Sequence, residues 1–327
     1  MVSVLTMPRS LLFVPLALVA AQVWAADPLV WKWSEGEAVR YHMTQSMGMQ
    51  MDAGPAGKIE SSTDQAMLLR WTVDSVQEDG DAVIRQATKR VVMKTTGPQG
   101  RGFQYDTDDE EPPLGLAAMV APMLNAMVSA PFTVSMASNG EVTDVQLTEE
   151  LATAFKRLPG GALSADMVSQ LAHQCSAPLP EEELEVGMSW SHTLEVKAPQ
   201  VGKMQVVNTY TYQGPREVDG KTLEAFSVTS EISPLPSKSN ILEISISTRE
   251  SSGELLFDRE AGKIDRSSLT QLMDVGVTIS GPAGAKTVTN QVSQTIELRR
   301  LADSEKPDLG ALLADVDESM GAPAPSP

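Results

Sequence analysis

From Ile241 to Arg249 the chain reads ILEISISTR, with Leu242, Ile244 and Ile246 on one side and Glu243, Ser245 and Ser247 on the other. Successive strand side chains point to opposite faces, so this alternation predicts a strand that is apolar on one side and wet on the other. The same period recurs at Met67, Leu69, Trp71 and Val73, at Met204, Val206, Tyr210 and Tyr212, and at Phe226, Val228 and Ile232. One-sided strands of this kind belong to antiparallel sheets. The dipeptides Asp79-Gly80, Asn139-Gly140 and Asp219-Gly220, and the tetrapeptide Gly-Pro-Ala-Gly at 54–57 and 281–284, supply the hairpin turns. Glycine reaches positive φ there, and proline pre-sets the preceding angle.

Two segments written almost alike, SNGEVTDV from Ser138 and EAGKIDRS from Glu260, suggest that one plan is used twice. The first half runs Gly36, Asp79-Gly80, Asn139-Gly140; the second runs Gly187, Asp219-Gly220, Ala261-Gly262. The expected organisation is a first β half over 26–147 and a helical connector over 148–177. A second β half over 178–302 and an acidic, Pro/Ala-rich disordered tail over 303–327 complete it.

A helical period interrupts the first half, within 114–129. Leu116, Met119, Val120, Met123, Leu124, Met127 and Val128 follow i, i+3, i+4 spacing, and alanines fill much of the other side. A helix apolar on nearly every side is expected to touch protein or ligand on nearly every side. Pro122 is expected to kink it or to begin a second turn. In the connector, Thr148 is placed to cap one helix and Ser164 a second, which carries Met167, Val168, Leu171 and Cys175 on one side.

Composition narrows the function classes. The 43 acidic residues against 25 basic give a formal net charge of -18, which disfavours nucleic acid and anionic lipid surfaces as partners. Residues 1–25 have one charge, Arg9, then an apolar run from Leu11 to Ala21 and small or modest residues at Val23 and Ala25. That is the pattern of a secretory signal peptide, so export to the periplasm or beyond is expected, with no transmembrane span after cleavage. A single cysteine, Cys175, leaves no intrachain disulfide, and its apolar surroundings suggest a buried thiol.

Motifs of chemistry are few. GPREVDGKT from Gly214 has the wrong spacing and context for a phosphate loop, and YDTDDEE from Tyr105 lacks the calcium-loop pattern. Three histidines in the whole chain, with no metalloprotease, hydrolase or Cys–His signature, argue against an enzyme and against a bound cofactor. His42 with Met47, Met49 and Met51 offers imidazole and thioethers of the kind that hold cuprous copper; a flexible core face explains the same Met row.

Six short motifs carry a family resemblance. They are Trp33-Ser34-Glu35-Gly36-Glu37 with Tyr41, then Tyr105-Asp106, then Leu179-Pro180 with Val186-Gly187-Met188-Ser189-Trp190, and Phe257-Asp258 with Gly262-Lys263-Ile264. Across Leu29–Leu301 the chain resembles an uncharacterised exported bacterial family, the domain of unknown function 6263. The resemblance implies export and a β-rich fold, and it implies no activity and no catalytic residue.

The resulting expectation is a mainly β (α+β) protein of two related antiparallel halves, with apolar helices on a curved sheet like the half-barrel carriers of the bacterial envelope. One function class is a carrier of an apolar small molecule or lipid. Its candidate ligand-binding residues are Leu116, Met119, Val120, Met123, Leu124 and Met127 on the helix, and Leu242, Ile244 and Ile246 on the sheet. The other class is a structural or interaction scaffold whose partner is another envelope protein.

Overall fold

The computed structural model describes residues 28–52, 57–157, 165–198, 202–236, 242–281 and 284–311. The expected signal peptide, Ser164 and the last sixteen residues lie outside the described residues. The first half contains β1 (Ala38–Asp52), β2 (Lys58–Val76), β3 (Ala82–Thr96), β4 (Gly102–Asp106), α1 (Ala117–Ser129), β5 (Phe132–Met136) and β6 (Val142–Leu147). Then come α2 (Glu149–Arg157) and α3 (Ala165–Gln174). The second half contains β7 (Ser189–Ala198), β8 (Gly202–Val218), β9 (Lys221–Pro234), β10 (Leu242–Asp258), β11 (Lys263–Gly281) and β12 (Gly284–Arg300).

All twelve strands join one antiparallel sheet in the order β6-β5-β3-β2-β1-β12-β11-β10-β9-β8-β7, with β4 on β3. The two halves meet where β1 pairs β12, from Tyr41 opposite Arg300 to Met51 opposite Asn290. The sheet does not close on itself. The strand order ends in β6 and β7, and α3 packs against both, so one helix occupies the gap between the two ends of a curled sheet. Covering an edge in this way also protects it from pairing with another chain.

Alternation sorts the faces as the sequence predicts. Val39, Tyr41 and Met43 of β1, with Met67, Leu69 and Trp71 of β2, are buried on the inner face. His42, Thr44 and Ser46 point to the outer face. The Asp219-Gly220 turn has positive φ at both residues (52° and 76°), the geometry of a type I′ hairpin, so GPREVDGKT is the β8–β9 connection. Thr148 Oγ1 accepts the Leu151 N–H at 3.3 Å and caps α2.

Both halves open with the same backbone hydrogen bonds. Gly36 N–H donates to Val73 O, Glu37 N–H to Ser34 O and Val73 N–H to Glu37 O; Gly187 N–H donates to Tyr212 O, Met188 N–H to Glu185 O and Tyr212 N–H to Met188 O. The two look-alike hairpins then converge on consecutive residues near the start of the described chain. Trp31 N–H donates to Ser138 O at 2.9 Å and Lys32 N–H to Gly262 O at 3.2 Å. This strap closes one end of the curled sheet. Trp31 stacks on Trp33 at 5.6 Å and meets Phe257 edge-on at 5.5 Å, while Trp71 packs on Tyr41 at 4.8 Å. Lys263, 2% exposed, lies 4.1 Å over the Trp33 ring and 3.3 Å from Glu37, so its buried charge is partnered.

Two expectations need correction. Residues 303–311 do not form a loose tail. Leu309 is buried with Ala66 and Val92 on the outer face, Arg40 donates to the carbonyls of Ala302 and Glu305, and Arg299 pairs with Glu305. The acidity that reads as disorder is, in part, the counter-charge of outer-face arginines. Nor is α1 covered on nearly every side. Its buried residues are Ala117, Ala121, Leu124 and Ala126, whereas Leu116 is 53% and Met119 77% exposed. Small alanines let the helix approach β3 and β4 closely, while Leu116 and Met119 stay open at its start.

A cavity between the sheet and the helices

Curling the sheet and laying α1, α2 and α3 inside it leaves a cavity of about 490 Å3. Its floor is the inner face. β1 contributes Gln45 and Met47, β2 Gln65 and Met67, β12 Gln294, and β11 Met273 and Val275, with Ile246 from β10 and Met204 from β8. Its roof is Met123, Leu124 and Met127 from α1, Leu151 from α2, and Val168 and Leu171 from α3. A second space of about 140 Å3 adjoins it and shares Gln170, Gln174, Ile232 and Gln294.

The size is informative. Small-molecule sites run from about 300 to 1,000 Å3. At about 24 cal/mol per Å3, a dry void of 490 Å3 would cost about 12 kcal/mol. That is comparable with the roughly 5–15 kcal/mol stability of a whole domain, so such a space is one that solvent or a ligand fills.

The chemistry of the walls is uniform. Among the described residues, six methionines, five glutamines, one threonine and apolar residues line the 490 Å3 space, and none of these side chains is charged. Methionine repacks readily around varied shapes. Glutamine offers both donor and acceptor without charge.

Of the residues expected to bind a ligand, Met123, Leu124, Met127 and Ile246 come together here. Met119 shares their side of α1 but is exposed, as is Leu116 just before the helix. Val120 packs on the main core, and Ile244 is partly buried one inward position farther along β10. Leu242 starts that strand, paired with Ile279. The glutamines, and Met67, Met204 and Met273, were not among the candidates. Their signal is a break in the pattern: Gln45 follows Tyr41 and Met43 on the inward face of β1, and Gln65 precedes Met67 and Leu69 on that of β2.

The copper candidates separate. Met47 borders the cavity, while Met49 borders a more polar groove at the hairpin tips beside Gln50, Lys58 and Glu60. Met51 is partly buried two residues on. His42 projects from the opposite face of the sheet, where burial and the nearby Arg299 push its pKa down to about 4. Among the described residues, no three His, Cys, Asp or Glu side chains gather as metal ligands. Cys175 is fully buried, and burial pushes its thiol up to about 12, away from nucleophilic use. No helix among the described residues is long and apolar enough to cross a membrane.

Comparison with solved structures gives distant likenesses. A structure described as lipid–protein interactions in lipovitellin shares 12% identity over 85% of this chain and 27% of its own, with a TM-score of 0.46. The chain thus spans about a quarter of that protein's length. DynF from the dynemicin pathway of Micromonospora chersina shares 8% identity over 84% of this chain and 85% of its own, with a TM-score of 0.21. A DUF1329 family protein from Desulfovibrio piger shares 9% identity over 82% and 88%, with a TM-score of 0.13. Likenesses at these scores carry no argument about function. No curated protein matches. The sequence is more telling: a family model described as "Family of unknown function (DUF6263)" matches residues 79–264, more than half of the chain, and the protein belongs to that family.

Proposed function

We propose that the protein is an exported, non-catalytic binding protein that shelters an apolar small molecule between its concave sheet and its helices. The observation that carries this reading is the 490 Å3 cavity whose lining, among the described residues, is methionine, glutamine, Thr88, Phe132 and aliphatic side chains with no charge. Such walls suit binding. General acid–base or nucleophilic chemistry needs titratable groups at the reacting atoms, and the described residues lining the 490 Å3 cavity include none. Export rests on the pattern of residues 1–25.

The test is titration of the full mature chain with Nile red, an uncharged dye that brightens in apolar surroundings. Saturable binding near one dye per chain, competed by a long-chain lipid, supports the reading; the absence of saturable binding rejects it. A second reading, docking to another envelope protein, is favoured by exposed Leu114, Leu116 and Met119, which form an apolar patch at the start of α1. Replacing Leu116 and Met119 by Ser leaves dye binding intact under the first reading, because neither side chain borders the cavity.

A further inference from the structure

We infer that the ligand is an uncharged lipid bearing ester or amide carbonyls, held by a belt of glutamine amides. This rests on the binding reading above. Gln65 pairs with Gln45 across β2 and β1, and Gln294 of β12 pairs with Met47 on the neighbouring strand, one inward position from Gln45. The belt continues to Gln271 of β11, paired with Gln294. Gln170 and Gln174, one turn apart on α3, border the same space from above, Gln174 partly buried and Gln170 also open to solvent.

Gln271 is committed: its amide donates to Ser230 O at 3.1 Å. Among the described residues, no protein group hydrogen-bonds the side-chain amides of Gln45, Gln65, Gln170, Gln174 or Gln294. Their N–H groups are therefore available to a ligand.

Two alternatives fit less well. A pure hydrocarbon would cover the partly buried amides of Gln45, Gln65, Gln174 and Gln294 and leave them without partners, which is costly in an apolar space. A carboxylate or phosphate would enter a space whose described lining residues include no cation, losing its hydration without a compensating charge. An ester or amide carbonyl satisfies the donors and brings no charge, while its chains lie along the methionines.

The experiment is Nile red displacement from the full mature chain at pH 8 by hexadecane, methyl hexadecanoate and hexadecanoate. The inference expects the ester to displace the dye at a concentration at least about tenfold below that of either other compound. In Gln45→Leu/Gln294→Leu, and separately in Gln174→Leu on the helix, the ester should lose its advantage over hexadecane while Nile red still binds. Equal displacement by all three, preference for the anion, or an ester advantage unchanged in both variants overturns the glutamine belt and leaves the binding reading standing; dye that none of the three displaces overturns both. No Nile red binding by the wild-type chain overturns both.

Discussion

Replacing Met123 by Trp distinguishes a binding cavity from a filled core. Met123 is partly buried on α1, and its side chain borders the space of about 490 Å3. In a close-packed interior, added bulk forces neighbours from their rotamers at a cost of about 1–3 kcal/mol. Here the space is roughly three times the ~150 Å3 that accommodates benzene, so an indole has room to turn inward. The expected cost in urea unfolding is below about 1 kcal/mol. Ala121→Phe is the contrast on the same helix. Ala121 is 2% exposed and does not border the cavity, so its added ring has no such room, and a loss of about 1–3 kcal/mol or more is expected. Nile red affinity should fall at least about tenfold in Met123→Trp, about 1.4 kcal/mol, because the indole occupies the ligand's place. The reasoning is refuted if Met123→Trp is as destabilising as Ala121→Phe and leaves dye binding unchanged.

Other outcomes follow from the closed end, the outer face and the buried thiol. A Cβ at Gly140 would lie 2.1 Å from Trp31 Nε1, and one at Gly262 2.5 Å from Lys32 N; at Gly220 it would meet nothing within 4 Å. All three have positive φ, so Gly220→Ala should cost about 1–2 kcal/mol and each of the others about 2–5, measured by chemical unfolding. Because the His42 pKa is lowered by folding, the native state favours the neutral imidazole. Stability should be unaffected by this group above about pH 6.5 and should fall by up to about 3 kcal/mol as pH drops toward about 4; His42→Gln should lack that component in unfolding curves at pH 7.5 and 4.5. Cys175 should resist a thiol-specific chromogenic reagent in the native protein and react promptly in denaturant, with fast native labelling contradicting its burial.

The strands were legible because alternation is a local property. Tyr41, Met43 and Met47 announce an inner face whatever lies opposite. The Gly-based turns were legible because positive φ restricts the choice of residue. The cavity was only partly legible. Met123 and Met127 stand out on an apolar helix, yet the sequence period cannot say where the sheet ends, and so could not tell them from exposed Leu116 and Met119. The glutamines were hidden because a polar residue in a strand reads first as a solvent-facing one. Only the register, with Gln45 beside Gln65 and across from the row that holds Gln294, shows that they share a floor. The motif residues Trp33, Glu37, Tyr41, Phe257, Gly262 and Lys263 prove to assemble the strapped end of the fold, and none of them borders the larger cavity. Likewise the tail from Asp303 looked unstructured because Leu309 alone gives no pattern; its place is set by Ala66 and Val92, more than two hundred residues earlier.

Native mass spectrometry of the full mature chain, purified from its own host without detergent, tests the central claim most directly. The account predicts a population carrying one lipid-sized adduct, released by organic extraction and absent from Met123→Trp. A wild-type chain that shows only its bare mass and binds no Nile red would contradict it.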